Sequence, residues 1–404
     1  MKIGVIGQGY VGLSLALVAA ESGLEVTGLD SNLELIRKLR VGETSVGGIS
    51  KEAVLRLIDS KKYNPTSEID ALNGNEIIII AVPTPLDSYK RPDLQFLRSA
   101  TLQIANSVDT PALIINESTS YPGTLRNFIK PLLDLNSPIE FAFAAAPERI
   151  DPGNKEWTIN NTPRVVSGLT PIATQTAVKF YQTICREVVV VDSPEIAEAS
   201  KIFENTFRQV NIALANEFSN IANNLGFSAH KAILAASSKP FGFMPFLPSI
   251  GVGGHCIPVD PSYLSYVSES VGVKAKLIDL ANEINLSRSS KIALKIAKLF
   301  NEPISDKKIQ IVGIAYKPNV EDMRESPALL LIEELRNLGF KVKWHDPIIR
   351  EFQEEKSSAL DPDIDLGLIV TPHEMIDLSI WKNNGTKVLD LSPNTRNYGW
   401  PKFF

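Results

Sequence analysis

Two stretches of this chain carry residue types whose spacing can do chemistry. The first is Gly251-Val252-Gly253-Gly254-His255-Cys256-Ile257-Pro258-Val259-Asp260-Pro261. Glycine-rich backbone lets a substrate come close, and Cys256 follows it directly. Asp260-Pro261 reads as an N-cap with Pro at the first position of a helix over residues 262–270. A thiol near a helix N-terminus is favoured as the thiolate, the form that attacks carbonyl carbon. The plainer alternative is an inert core cysteine beside a capping acid. The second stretch is Gly7-Gln8-Gly9-Tyr10-Val11-Gly12, a G-x-G-x-x-G between a strand over 2–6 and a helix over 13–22. Gly7 allows the tight turn, Gly9 lets a pyrophosphate approach, Gly12 permits close helix–strand packing, and the helix end offers N–H groups to phosphate. Asp30 closes the second strand 18 residues after Gly12. An acid there binds ribose hydroxyls and repels a 2′-phosphate, which selects NAD over NADP.

A third set is helical. Lys201, Asn205 and Arg208 stand at i, i+4 and i+7 and share one face. Phe203, Phe207, Val210, Leu214, Phe218 and Ile221 lie opposite. The apolar stripe is expected to face a core and the polar trio to face a polar site; a solvated surface is the alternative. Three strand-like runs end in Pro83-Thr84-Pro85, Ser118-Thr119 and Ala146-Pro147-Glu148. Ligands of open parallel sheets bind beyond the carboxyl ends of the strands, so these segments are expected to line the crevice of the glycine loop.

The elements that must position these residues follow from periodicity. Apolar, β-branched runs over 2–6, 25–29, 76–82, 112–117, 140–145, 164–168 and 188–191 alternate with helical patterns, which predicts a doubly wound parallel sheet of Rossmann type. From about 195 to 295 strands stop. Helical patterns over 195–225 and 274–298 flank a Gly- and Pro-rich loop over 239–261, and so long a loop is usually functional. Strand patterns return at 308–314, 341–344, 366–370 and 387–391, with a helix over 325–338 and a polar surface segment over 351–365. The predicted architecture is α/β: an NAD-binding Rossmann domain (1–195), a central helical domain (196–298) and a smaller C-terminal Rossmann-like α/β domain (299–404).

Composition narrows the function classes. The chain has 404 residues, 41 Lys+Arg against 46 Asp+Glu, and a formal net charge of −5. No basic excess marks a nucleic-acid partner. The longest apolar runs fall far below the roughly 18 residues of a membrane span. Two cysteines, Cys185 and Cys256, fit reduced thiols better than a disulfide scaffold. No signal-peptide pattern opens the sequence, so the expected location is the cytoplasm. No metal site is expected.

Six motifs come in order along the chain. They are the glycine fingerprint at 7–12, Ser118-Thr119-Ser120-Tyr121-Pro122-Gly123-Thr124, Ala146-Pro147-Glu148-Arg149, Lys201-x-x-Glu204-Asn205-Thr206-x-Arg208-x-x-Asn211, the Cys256 loop, and Gly313-Ile314-Ala315-Tyr316-Lys317 followed by Arg324-Glu325-Ser326-Pro327. Together they resemble the family of UDP-glucose and GDP-mannose dehydrogenases. The resemblance implies a homodimer that binds NAD and a UDP-sugar and serves polysaccharide biosynthesis. It implies oxidation of a sugar C6 hydroxymethyl group to a carboxylate through a thiohemiacetal and a thioester on Cys256. Lys201, Asn205 and Asp260 would surround the reacting carbon, and Thr119 and Glu148 would position or activate water. Glu148, Arg149, Lys201, Asn205, Arg208, Phe246, Gly253 and Lys317 would hold substrate. Gly7, Gly9, Tyr10, Val11, Gly12, Asp30, Pro83, Thr84, Thr119 and Arg324 would hold the cofactor. His255 before the cysteine resembles the branch acting on UDP-N-acetylmannosamine or UDP-N-acetylglucosamine, although Pro248-Ser249-Ile250-Gly251 departs from the Pro-Gly-Pro-Gly common there. UDP-glucose oxidation, a one-step NAD alcohol dehydrogenase and a nucleotide-sugar sensor are the competing readings.

Overall fold

A computed structural model of the chain describes every residue except Ser45, Pro152, Gly153, Lys155, His255, Glu302, Thr395 and Asn397. The reading of His255 as a branch marker thus falls outside the described residues. The chain forms two compact units, Met1–Glu204 with Ser262–Val273, and Asn205–Pro261 with Lys274–Phe404.

In the first unit the strands are β1 (Lys2–Ile6), β2 (Glu25–Leu29), β3 (Tyr63–Thr66), β4 (Ile77–Ile80), β5 (Leu113–Asn116), β6 (Ala142–Ala145), β7 (Arg164–Gly168) and β8 (Val188–Val190). They make one sheet in the order β3-β2-β1-β4-β5-β6-β7-β8, which switches direction beside β1. The four isoleucines of β4 show why apolar runs mark these strands. Ile77 and Ile79 enter one hydrophobic cluster and Ile78 and Ile80 the other, so the sheet is covered on both faces. Each such side chain contributes about 2 kcal/mol by burial. Register brings the strand ends together: Ile6 pairs with Leu29 on one side and Ile80 on the other. The residues that follow are Gly7, Asp30 and Ala81.

Two features depart from the expected sheet. β3, Tyr-Asn-Pro-Thr, is an edge strand that no apolar run announces; proline is confined to edges because it cannot donate to a central ladder. β7 runs antiparallel to β6, with β8 parallel to β7, so the sheet is mixed at that end.

The second unit opens with most of the long helix Pro194–Asn224, which begins in the first. The expected helix over 274–298 is two, Lys276–Leu286 and Arg288–Ala297. Asn285 and Ser287 explain the break. The Asn285 side chain turns inward to bond Gln209 O and Asn216, and the Ser287 hydroxyl bonds back to Glu283 O. β9 (Lys308–Val312), β10 (Lys341–His345), the small hairpin strands β11 (Glu351–Phe352) and β12 (Glu355–Lys356), β13 (Leu366–Ile369) and β14 (Val388–Asp390) follow. The main sheet has the order β10-β9-β13-β14, all parallel. The hairpin interrupts the stretch expected as plain polar surface.

The stripe on the long helix is also a correction. Phe203, Phe207, Leu214 and Ile221 are 65%, 42%, 62% and 49% exposed, whereas Lys201 and Asn205 are both 8% exposed. These four apolar side chains look outward from the single chain, Val210 and Phe218 are half-buried, and Lys201 and Asn205 lie inward. Arg208 is exposed and does not join Lys201 and Asn205 in that buried set. Among the described residues no helix is long and apolar enough to cross a membrane, and no cluster of His, Cys, Asp or Glu could hold a metal ion.

Candidate active site

The glycine fingerprint starts its helix earlier than the sequence suggests. The helix is Tyr10–Glu21, so Gly9 is its N-cap and the first intrahelical bond runs from Leu13 N to Gly9 O. The N–H groups of Val11 and Gly12 thus have no carbonyl to meet within the helix, and no acidic residue stands in its first turn. The three glycines differ in what a side chain would meet. At Gly7 (φ +92°) a Cβ would lie 2.4 Å from Ala81 O, and at Gly12 1.8 Å from Gly7 O, whereas at Gly9 it would meet nothing within 4 Å. Packing within the fold accounts for Gly7 and Gly12. The open space at Gly9 is room for a ligand.

Asp30 accepts the N–H of Gln8 at 2.7 Å and that of Asn32 at 2.9 Å, which fixes its carboxylate beside the loop. Gln8, an unspecified position of the motif, is fully buried: its amide donates to Val5 O at 2.9 Å and accepts Tyr63 OH at 2.7 Å. Burial first, and the Asp30 charge second, push the Tyr63 phenol well above its ordinary range, so it stays a donor. The site fits a dinucleotide, with first-turn N–H groups for the pyrophosphate and an acid for the ribose.

The neighbouring strand ends are tied together. Ser118 Oγ accepts Val82 N and donates to Val82 O, both at 2.9 Å, and Tyr263 donates to Thr84 O at 2.9 Å. These bonds set the loop carrying Pro83 and Thr84 beside the one carrying Thr119. The latter loop is gripped from the long helix by Glu198, whose carboxylate takes Gly123 N at 2.6 Å and Leu125 N at 2.8 Å. Tyr121 of the same loop packs against Tyr263 and Tyr266, with ring centroids 6.4 and 5.8 Å apart.

Glu148 lies three residues past the end of β6, 6% exposed, with its carboxylate fully oriented. One oxygen accepts Arg149 N and Ile150 N, each at 2.6 Å, and the other accepts Arg164 Nη2 at 2.5 Å. Arg149 is turned to Glu204 (2.7 Å) and Pro163 O (2.8 Å), so its guanidinium braces the unit. Arg164 also lies 3.6 Å from the buried Glu117, which in turn accepts Tyr181 OH. Sequence reasoning missed Gln8, Glu117, Arg164, Tyr181 and Glu198. The available signal was a charged residue opening or closing an otherwise apolar strand, as in Asn116-Glu117 and Arg164-Val165-Val166.

In the second unit Cys256 is partly buried and neither cysteine is in a disulfide. Its carbonyl accepts Asp260 N at 2.8 Å and Val259 N at 3.0 Å, which sets the thiol one turn ahead of the helix Asp260–Ser270. Asp260 is that helix's first residue, 2% exposed, and its carboxylate accepts the Asn205 side-chain amide. The Cys256 loop and the long helix are thereby joined through Asp260 and Asn205. Phe246 stacks edge-on against Phe207, with centroids 5.8 Å apart.

The glycines of this loop have close neighbours within their own unit. A Cβ at Gly253 would lie 2.9 Å from Pro327 and 3.0 Å from Glu325 O and Tyr316, and one at Gly254 (φ +86°) would meet the Tyr316 ring at 2.9 Å. Gly254 N donates to Arg324 O at 3.0 Å. The segment holding Tyr316, Lys317 and Arg324 is therefore laid directly on the loop. The Arg324 guanidinium is bound to Asp322 at 2.6 Å; that bond, and next the Asp322 charge, outweigh burial and raise its affinity for its proton, with Cys256 a smaller contributor.

Comparison with known proteins agrees with this geometry. The chain matches three domain models described as the UDP-glucose/GDP-mannose dehydrogenase family: NAD binding domain (residues 1–187), central domain (195–287) and UDP binding domain (310–390). A UDP-N-acetyl-D-mannosamine dehydrogenase of Pyrococcus horikoshii is 35% identical over 397 residues, covering 95% of this chain and 92% of that protein. A UDP-N-acetyl-D-glucosamine 6-dehydrogenase of Pseudomonas aeruginosa is 32% identical over 359 residues, covering 86% and 83%. A solved structure of UDP-D-ManNAc dehydrogenase from Pyrococcus horikoshii superposes with a TM-score of 0.87 at 31% identity, covering all of this chain and 98% of that one. An NAD-binding fold, a cysteine loop and a UDP-binding fold in that order have one common explanation: the chain belongs to the UDP-glucose/GDP-mannose dehydrogenase family, and is an NAD-dependent nucleotide-sugar dehydrogenase.

Proposed function

We propose that this chain oxidises the C6 hydroxymethyl group of a UDP-N-acetylhexosamine, UDP-N-acetylmannosamine or UDP-N-acetylglucosamine, to the carboxylate. The observation that carries the reading is the Cys256 loop, whose thiol precedes a helix that begins at Asp260, itself bonded to Asn205. The names of the relatives above support the sugar class.

NAD, when bound, accepts the hydride of each of the two oxidations. Cys256 adds as thiolate to the aldehyde carbon, because an aldehyde yields hydride readily only once a nucleophile has added, and the covalent link keeps the intermediate from escaping. Lys201 and Asn205 stabilise the oxyanion, an effect worth a few kcal/mol per donor. Asp260 holds Asn205 in place. Thr119 and Glu148 position the water that hydrolyses the thioester. Gly7, Gly9, Tyr10, Val11, Gly12, Asp30, Pro83 and Thr84 hold the cofactor, with Arg324 approaching it. Arg149, Arg208, Phe246, Gly253 and Lys317 complete the substrate set. We assign 1–195 to cofactor binding, 196–298 to the catalytic loop and dimerisation, and 299–404 to the nucleotide. The exposed stripe Phe203, Phe207, Leu214 and Ile221 supports a homodimer, and the two thiols fit the cytoplasm.

The test is NADH yield under limiting nucleotide sugar with excess NAD, using UDP-N-acetylmannosamine, UDP-N-acetylglucosamine, UDP-N-acetylgalactosamine and UDP-glucose separately. Two NADH per N-acetylated sugar is expected. Two from UDP-glucose alone would move the substrate. One per sugar would replace the mechanism with a simple alcohol oxidation, and none would leave an untested sugar, such as a GDP-mannose type, or a sensor.

A further inference from the structure

β7 is the strand that reverses the sheet. Ala145 pairs with Ser167 and Ala144 with Gly168, so the first residue of β7, Arg164, extends past the carboxyl end of β6. A parallel strand would have offered its last residue there. The reversal delivers a charged side chain, 3% exposed, underneath Ala146-Pro147-Glu148.

Everything around the guanidinium belongs to one cluster. Nη2 donates to Glu148 Oε2 at 2.5 Å, and Nη1 lies 3.4 Å from Pro147 O, 3.5 Å from Ala146 O and 3.6 Å from Glu117 Oε2. The Tyr181 ring covers it at 5.2 Å, while Tyr181 OH donates to Glu117 Oε1. Cys185 is the remaining titratable group facing the cluster. One cation is thus shared by two buried carboxylates. A carboxylate has about four acceptor sites. Among the described residues Arg149 N, Ile150 N and Arg164 take three of those on Glu148, and the fourth lies on the oxygen that Arg164 holds.

We propose that Arg164 is a positioning residue for thioester hydrolysis: its guanidinium, bound to Glu148 and shared with Glu117, aims the Glu148 carboxylate and sets how readily it takes the proton of the hydrolytic water. This rests on the Cys256 acyl-enzyme and the role of Glu148 given above. In the step, the water oxygen bonds the acyl carbon and one water proton passes to Glu148. The C–S electron pair leaves with the Cys256 sulfur, and the second proton goes to solvent as the uronate forms. Burial, with the Glu148 charge adding and Arg164 opposing, raises the Glu117 carboxyl to about 7. Below that pH Arg164 serves Glu148 alone. Above it, ionised Glu117 draws on the same guanidinium and proton transfer to Glu148 becomes easier, so hydrolysis speeds up as pH rises through about 7.

Full-length Arg164→Lys, Glu117→Gln and Glu148→Gln are compared with the parent by rapid mixing with NAD and whichever of UDP-N-acetylmannosamine or UDP-N-acetylglucosamine is turned over. Arg164→Lys is expected to keep the burst of two NADH per site and to lose steady-state rate by about 10- to 100-fold, below the loss expected on removing the base itself. An acyl adduct on Cys256 should accumulate, visible by intact-protein mass. Glu117→Gln, nearly isosteric and so the variant that keeps the fold, should lose the rise in hydrolysis near pH 7. Arg164→Lys without adduct, or a pH rise retained in Glu117→Gln, overturns the proposal. If Glu148→Gln itself shows no stall, the assignment of Glu148 fails instead.

Discussion

Glu198 holds Gly123 by a 2.6 Å hydrogen bond to the backbone N–H, and its other oxygen takes Leu125 N, so one buried carboxylate anchors the whole 118–124 loop to the long helix. Burial raises this carboxyl to about 8 even though the two backbone donors pull it down. A raised carboxyl favours the folded state fully below its unfolded value near 4.5, and that contribution is lost as pH climbs through about 8. Urea midpoints measured from pH 5 to pH 9 should therefore fall with pH. Glu198→Gln should flatten the fall, by at most about 1.4 kcal/mol per pH unit, leaving the part due to Glu117.

Two of the fingerprint glycines should separate in a stability assay. Gly12→Ala drives a methyl against Gly7 O and is expected to lower the melting temperature sharply. Gly9→Ala meets nothing within 4 Å and should melt like the parent, yet bind NAD at least about tenfold more weakly. Calorimetric titration beside thermal melts tells the two apart, and equal melting losses would sink the assignment of Gly9 to the ligand.

Asp30 combines a structural bond to Gln8 N with a charge where we propose that the ribose binds. Asp30→Asn keeps an acceptor for Gln8 and removes the charge. The ratio of kcat/KM for NAD over NADP should fall by about tenfold or more, equivalent to roughly 1.4 kcal/mol. An unchanged ratio would place the discrimination elsewhere.

Asn205 and Asp260 form the bond that joins the long helix to the Cys256 loop. Asn205→Ala, Asp260→Ala and the double variant should be non-additive in kcat/KM, with a coupling of about 1–3 kcal/mol. Additive losses would mean that the two act independently.

Strand identity and the glycine loop were legible because β1, β2 and β4 to β6 are apolar on both faces and Gly7-x-Gly9-x-x-Gly12 has a packing reason for two of its three positions. β3 was hidden because an edge strand tolerates Asn64 and Pro65. The direction of β7 leaves no trace in Arg164-Val165-Val166, since a strand reads the same parallel or antiparallel. The stripe of Phe203, Phe207, Leu214 and Ile221 was visible as a pattern, but periodicity says only that one face is apolar, not that this chain covers it. Glu198 and Gln8 escaped for a different reason: Glu198 takes two backbone N–H groups and Gln8 takes the Tyr63 hydroxyl, all distant in sequence, and such pairing has no sequence period.

The C-terminal sheet repeats two hydrogen bonds of the first. Gly313 N donates to His345 O as Gly7 N does to Leu29 O, and Ile314 N to Asp346 as Gln8 N does to Asp30. Asp346, however, is 1% exposed and also takes Ala315 N, Ile348 N, Ile349 N and His373. The acid that could read a ribose has been turned into a keystone. Two copies of one architectural plan can then coexist in a single polypeptide without the second bidding for the dinucleotide, and grafting NAD recognition onto that half would first require His373 to release its hold.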